Sequence, residues 1–355
     1  MKWDWLDALE QTGCIEEETG WLPHHLIVER GAEIVGACPL YLKVHSMGEF
    51  VFDYEWAELA HRLGISYYPK LLVGVPFTPV TGARFLTVAG ADRRSLVQLM
   101  GQALAQIAKD NKISSVHVNF CLEDERQALA GVGFAERVGL QFHWENRGYG
   151  SFEDYLGSFR SDRRNKIKRE RRAIAERGIA IRVFEGERFT ESHLRTMFSL
   201  YKTHVDALYY GRQYLTQEFF TEVGRRFAAH VCLILAERES RVIAGTFNVR
   251  GDSALYGRYW GAFEEAPFLH FNVCYYAAIE HCIKNGLGRF EAGAGGSFKQ
   301  LRGLEPQPTT SMHYIVDQKF RRAVEHHLAQ EREMILLKRS ALLEKSQLKR
   351  EQGDE

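Results

Sequence analysis

Residues 231–263 read VCLILAERESRVIAGTFNVRGDSALYGRYWGAF. Three runs rich in apolar and β-branched residues are separated by the polar pairs Glu239-Ser240 and Gly251-Asp252, a pattern that predicts three antiparallel strands joined by tight turns. Residues 272–285 then carry helical spacing and stop at Gly286. Residues 289–293 return to a strand that breaks into glycines. Antiparallel strands followed by a helix and a further strand place this half of the chain in the α/β (α+β) class. Strict alternation along the third strand puts Tyr256, Arg258 and Trp260 on one face. An arginine between two aromatic rings on a sheet face is costly unless it meets an anion or a carboxylate.

Working outward, residues 25–28 and 33–44 predict a hairpin turning at Gly31, the second strand running through IVGACPLYLKV. Residues 50–82 are rich in aromatics, glycine and proline, and predict one strand and a structured loop, because Pro69, Pro76 and Pro79 block a regular helix. A helix over 95–111, an alternating strand over 115–120 and two short strands around Arg137 complete a first unit. Ser151 is an N-cap candidate for a second unit, and a helix over 161–177 ends at Gly178. Further helices are expected over 190–207 and from Thr216, with a strand over 310–316 and a long helix over 319–350. The order of elements is similar in the two halves. The expected organisation is therefore 1–150, 151–318, and a C-terminal helix and tail over 319–355.

The chain has 355 residues, 45% hydrophobic and 26% charged, with zero formal net charge. That balance excludes general disorder and bulk polyanion binding. Six cysteines without a C-x-x-C pair argue for reduced, buried thiols, not a disulfide framework or a zinc site. No stretch approaches the 18 or so apolar residues of a membrane span. The N-terminal residues lack the apolar core of a signal peptide, so a cytoplasmic location is expected. G-x-S-x-G, H-E-x-x-H, the Walker loop and the dinucleotide fingerprint are all missing, and no metal or bound cofactor is expected.

Four segments carry candidate chemistry. FRSDRRNKIKRERRAIAERG places Arg163, Arg164, Lys166 and Lys168 on a strongly basic helix with a narrow apolar stripe at Phe159, Ile167 and Ile174. It is either a phosphate- or RNA-binding surface or a solvated helix face. ALYYGRQYLTQEFF holds Tyr209, Tyr210 and Arg212 in a loop, where they suit ligand contact or anchor the loop to the core. The strand at Tyr256 is followed by His270, a polar anchor, an acid/base group or a helix cap. FEAGAGGSFKQLRGLEP brings Glu291, three glycines, Phe298, Lys299 and Arg302 together, an anion-handling loop beside an acid or a tight turn with solvated charges.

The chain resembles the Fem family of aminoacyl-tRNA-dependent acyltransferases within the GNAT superfamily. It resembles more closely the branch named predicted N-acyltransferases of peptidoglycan biosynthesis or recognition. SFRSDRRNKIKRERRAIAERGIAIRV is similar to the family's basic helix, glycine stop and strand, and RVIAGTFNVRGDSALYGRYWGAF to its central strands. YYAAIEHCIKNGLGRFEAGAGGSFKQLRGLEP is similar to its helix, strand, glycine turn and Phe-Lys loop, and YYPKLLVGVPFTPVTG to its acceptor loop. The resemblance implies two tandem GNAT-like domains with a cleft between them, no cofactor, an aminoacyl-tRNA donor and a small peptide or other amine as acceptor. It implies that Phe298 and Lys299 lie at the 3′ end of the tRNA, with Glu291 in a positioning role. It places Tyr68, Lys70, Pro76, Phe77 and Thr78 in acceptor binding. The chain has Pro79-Val80-Thr81-Gly82 where the family usually carries an acid, which departs from recognition of a nucleotide-linked muropeptide. Two alternatives stay open: an acetyl-CoA-dependent N-acetyltransferase, although residues 264–272 lack the [RQ]-x-x-G-x-[GA] pyrophosphate turn, and a non-catalytic protein that binds RNA or a cell-wall precursor.

Overall fold

The structure, a computed structural model, describes residues 1–209 and 211–349. Its strands are β1 (Trp21–Pro23), β2 (Leu26–Arg30), β3 (Glu33–Cys38), β4 (Leu40–Lys43), β5 (Lys70–Val73), β6 (Leu86–Thr87), β7 (Ser115–Asn119), β8 (Ala135–Glu145), β9 (Ile179–Glu185), β10 (Val231–Arg238), β11 (Arg241–Arg250), β12 (Ala254–Ala262), β13 (Arg289–Glu291) and β14 (Glu305–Ile315). The α/β class expected from the sequence is the class observed.

The chain forms two compact units that interleave in sequence. One takes residues 1–6, 13–140 and 308–339; the other takes 7–12, 141–307 and 340 onward. In the first, β4 pairs antiparallel with β5, β5 parallel with β7, and β7 antiparallel with β14. In the second, β11 pairs antiparallel with β12, β12 parallel with β13, and β13 antiparallel with β8. A parallel pair needs a crossover. The helix Arg93–Asp110 lies in one crossover and the helical run from Leu269 to Lys284 in the other. The two units thus repeat one pattern of antiparallel strands followed by a single parallel pair. Each takes its outermost antiparallel partner from a remote part of the sequence.

Several local expectations change for identifiable reasons. Pro39, which has no N–H to give a ladder, splits residues 33–44 in two: β3 pairs with β2 and β6, whereas β4 pairs with β1 and β5. A helix at Tyr54–Arg62 lies ahead of the three prolines, where only strand and loop are expected, and buries Trp56 and Ala60. The two short strands around Arg137 are one, β8. The C-terminal helix runs Gln318–Glu344 and sets Phe320, Val324 and Leu328 into the core of the first unit beside Trp56 and Tyr67. Ser151 caps its helix as expected, its Oγ accepting from the Asp154 N–H at 3.1 Å.

The core of the first unit contains an unusual polar pair. His117 and His313 are cross-strand partners, fully buried, with their Nδ1 atoms 2.7 Å apart. Their Nε2 atoms reach Ser115 Oγ and Ser311 Oγ, each at 2.8 Å. One Nδ1 must donate and the other accept, so the two rings cannot both carry a second proton while this bond is kept. Burial, with Lys70 and Arg137 nearby, lowers His117 to about 3 and holds His313 well below its ordinary value. The unfolded chain therefore takes up more protons than the folded one below about pH 6.5, and stability falls with acid from that point. The expected slope approaches about 1.4 kcal/mol per pH unit for each ring. Glu49, raised to about 7 by burial, acts with the opposite sign, so the test compares two proteins. Denaturant melts between pH 7 and 5 should show a flatter pH dependence in a His117→Asn/His313→Asn variant than in the wild type. Parallel curves would remove the pair from the acid response.

Candidate active site

The parallel pairing of β12 with β13 covers only Ala254–Tyr256 against Arg289–Glu291, and the chain then leaves β13 as a loop. Gly293, Gly295 and Gly296 all have positive φ, and a Cβ on Gly293 would sit 3.4 Å from the Gly257 carbonyl. Positive φ thus accounts for all three glycines. The 3₁₀ turn Ser297–Arg302 follows, closed by Gly303 at φ +70°. This turn folds Lys299 back beneath the loop. Lys299 is 3% exposed, its Nζ donating to Gly293 O at 2.5 Å and to Ala294 O at 3.3 Å. Burial lowers its ammonium to about 8. Its neighbour Phe298 is 58% exposed and meets the Phe271 ring at 6.0 Å.

A buried clamp fixes this turn. Arg302 donates to Glu170 Oε2 at 3.0 Å and to Phe298 O at 2.9 Å, and its guanidinium lies 3.4 Å over the Phe271 ring. Arg163 donates to Leu301 O at 2.5 Å and lies 3.4 Å from Glu170 Oε1. Tyr276 OH donates to Glu170 Oε2, and Asn272 Nδ2 to Glu170 O at 3.1 Å. Tyr155 OH donates to Arg302 O at 2.7 Å. A carboxylate held by two guanidinium groups and a phenol is a paired charge, the form in which ions are tolerated in a protein interior.

Glu170 is absent from the sequence-derived candidates, although its spacing carries the signal. Arg163, Ile167, Glu170 and Ile174 follow helical steps of four, three and four on the buried face of the helix Ser161–Ala175. Arg163 therefore points inward and is removed from the expected phosphate-binding surface. Of the other cations named there, Arg164 is half-buried, Lys166 is exposed, and Lys168 is exposed and paired with Glu153 at 2.8 Å. Exposed Arg169 and Arg172 extend the same basic surface.

Glu291 is 2% exposed, registered between Tyr256 of β12 and His143 of β8. Its Oε1 lies 2.9 Å from Arg289 Nε, off the hydrogen-bond direction, and its Oε2 lies 3.7 Å from His143 Nε2. Burial raises the carboxyl to about 7, against the pull of Arg289 and Arg258. His143 falls to about 4 by burial and by the charges of Arg289 and Lys299. A carboxyl that titrates near neutrality thus stands beside a neutral imidazole, an arrangement suited to holding or passing a proton. His143 was not a sequence candidate. It joins Glu291 through strand pairing between segments about 150 residues apart.

The third central strand departs from strict alternation. Asn248 pairs with Gly257 and Phe247 with Tyr259, so Arg258 is the extra residue of a β-bulge. The bulge breaks the shared face expected for Tyr256, Arg258 and Trp260. Tyr259 joins the aromatic cluster of Tyr201, Phe220 and Phe247. Trp260 meets His270 edge-on at 5.0 Å. His270 also packs at 5.3 Å from Tyr275, and burial lowers it to about 4, so it stands as a neutral polar group among aromatic rings. It precedes a π-helical turn, Asn272–Tyr276, of the kind that recurs at functional sites. In the loop before Thr216, Tyr209 and Arg212 are exposed, whereas Tyr210 lies outside the described residues.

In the first unit Lys70 is fully buried, donating to Ser46 Oγ and Glu49 Oε2 at 2.8 Å each and to Asp53 Oδ2. All three ammonium protons are committed within the protein, which makes Lys70 a support for the loop and not a group offered to a ligand. Tyr68 OH reaches Ser46 Oγ at 2.7 Å. Pro76 and Phe77 are buried, with Phe77 against Trp21 at 5.2 Å, and Thr78 is half-buried. Among the described residues, no helix is long and apolar enough to cross a membrane.

The FemAB-like family model, described as peptidoglycan biosynthesis/recognition, matches residues 1–350. None of the curated proteins compared matches the chain. Among solved structures, the chain is similar in fold to FemX, with a TM-score of 0.54 and 13% identity over 91% of this chain and 93% of that one. It is also similar to L-PGS from Bacillus licheniformis, with a TM-score of 0.53 and 8% identity over 94% and 95% of the two chains. The chain belongs to the FemAB-like family.

Proposed function

We propose that the protein moves an aminoacyl group from aminoacyl-tRNA to the amine of a small peptide, forming a peptidoglycan-type peptide bond. The observation that carries this reading is Lys299, an ammonium buried under a glycine turn beside an exposed phenyl ring. In this reading Phe298 stacks on the terminal adenine of the donor. The acceptor amine attacks the ester carbonyl, a C–N bond forms, and the bond to the ribose oxygen breaks. The Lys299 ammonium faces the negative charge that develops on the carbonyl oxygen and then on the departing ribose oxygen. The amine's proton passes to the ribose oxygen, with the Glu291 carboxyl holding or relaying it. Arg302 positions the turn. Tyr256, Arg258, Trp260 and His270, with Tyr209 and Arg212 in their loop, are proposed contacts for the aminoacyl group and the acceptor. Tyr68 and Thr78 are proposed for the acceptor peptide, with buried Pro76 and Phe77 supporting their loop. Lys166, Arg169 and Arg172 supply cations for the tRNA backbone.

Acetyl-CoA fits less well as donor. The helical run after β12 begins at Phe268, a bulky residue at φ +69°, in place of a glycine turn that would seat a pyrophosphate. The deciding experiment incubates the purified protein with a lysine-bearing stem peptide and either a charged tRNA pool or acetyl-CoA. Amine-dependent loss of the aminoacyl ester, with acetyl-CoA untouched, is the expected result. Consumption of acetyl-CoA with charged tRNA left intact would overturn the reading.

A further inference from the structure

We infer that Glu185, Cys232 and His281 form a three-ligand site for a zinc-class divalent cation, with its fourth position opening on a neighbouring cavity. The three come from separate segments, so no sequence spacing announces them. Glu185 ends β9 and is the direct cross-strand partner of Cys232 on β10, which sets both side chains on one face of the sheet. His281 projects from the helix Ala277–Lys284. The Oε1 of Glu185 lies 3.0 Å from His281 Nε2, and the candidate carboxylate, thiol and imidazole atoms all lie within 4.8 Å of one another.

In a tetrahedral site, metal–ligand distances of about 2.0–2.3 Å set the ligand atoms roughly 3.3–3.8 Å apart. Closing this trio on an ion therefore takes side-chain movements of about an ångström and no change in the strands. Thiolate, imidazole and carboxylate together suit Zn²⁺, whereas Mg²⁺ and Ca²⁺ prefer oxygen alone. Arg250 lies 3.5 Å from Glu185 Oε1. A thiolate and a carboxylate balance the dication, leaving Arg250 as an outer partner. Glu185 and His281 line a cavity of about 470 Å³ whose wall also includes Ile181, Val183 and Tyr276, so water or a ligand group has access to the fourth position.

Cobalt(II) titration of the full-length, chelator-treated protein tests the site. The expected result is one equivalent bound, with a thiolate-to-cobalt charge-transfer band and tetrahedral d–d bands, both displaced by Zn²⁺. Cys232→Ser should remove the charge-transfer band, and His281→Gln should weaken cobalt binding by at least about 100-fold. Cys282→Ser should leave the spectrum unchanged. A wild-type protein without the band, or a band that survives Cys232→Ser, would reduce the trio to a hydrogen-bonded cavity wall. Should Cys232→Ser fail to fold by circular dichroism, His281→Gln decides alone, and unchanged cobalt affinity would overturn the site.

Discussion

Residues 1–150 expressed alone are expected to remain unfolded. The segment looks complete in sequence, with hairpin, loop, helix and strands in order. Its unit nevertheless needs residues 308–339. Without them β7 loses the pairing of Ser115–Asn119 with Ser311–Ile315, and a strand meant to be interior becomes an unpaired edge. Buried Met312, Tyr314, Ile315, Phe320, Val324 and Leu328 leave the core together. Burying each such side chain contributes about 1.5–3 kcal/mol. The loss is then about 10 kcal/mol or more, against a typical domain stability of about 5–15 kcal/mol. His117 would also lose His313, stranding a buried nitrogen.

The complementary protein is the control. Residues 1–140 joined through a flexible linker of about 15 residues to 308–339 should regain a cooperative thermal transition. A cooperative melt from residues 1–150 alone, or a linked protein no better folded than the fragment, would show that the late strand and helix are dispensable.

The same late strand marks how far the sequence is legible. β10, β11 and β12 follow from their apolar, β-branched runs and from the residues at Glu239-Ser240 and Gly251-Asp252, because strand propensity and turn chemistry are local properties. The Glu291–Arg302 segment stands out for the same reason, since its glycines, aromatic ring and charges are neighbours in sequence. Pairings between distant segments leave no such trace. Nothing near His143 announces Glu291, and nothing near His117 announces His313. The bulge at Arg258 is equally silent, because one extra residue changes the facing of a strand without changing its composition. Arg163 and Glu170 are a different case. Their positions on the buried helix face follow from spacing alone, but the excess of positive charge along that helix draws the reading toward solvent.

Lys299→Ala is expected to lower the transfer rate by about 10²–10³-fold, the usual cost of removing one donor to a developing oxyanion. The substitution should leave the fold intact. Among the described residues Lys299 donates to Gly293 O and Ala294 O, in a half-buried to exposed part of the loop where water can take over, and the turn keeps its Arg302–Glu170 clamp. The thermal midpoint should therefore stay near that of the wild type while activity collapses. The pH dependence separates a chemical role from a packing role. Burial lowers the Lys299 ammonium to about 8. If the cation is what acts, activity should fall as pH rises through that value, because the neutral amine forms. A guanidinium keeps its charge well above that range. Lys299→Arg, even with a reduced rate, should hold that rate to higher pH, moving the alkaline limb upward. Full activity in Lys299→Ala, or an alkaline limb left in place by Lys299→Arg, would take the positive charge out of the mechanism and leave Phe298 and the glycine turn to account for the site.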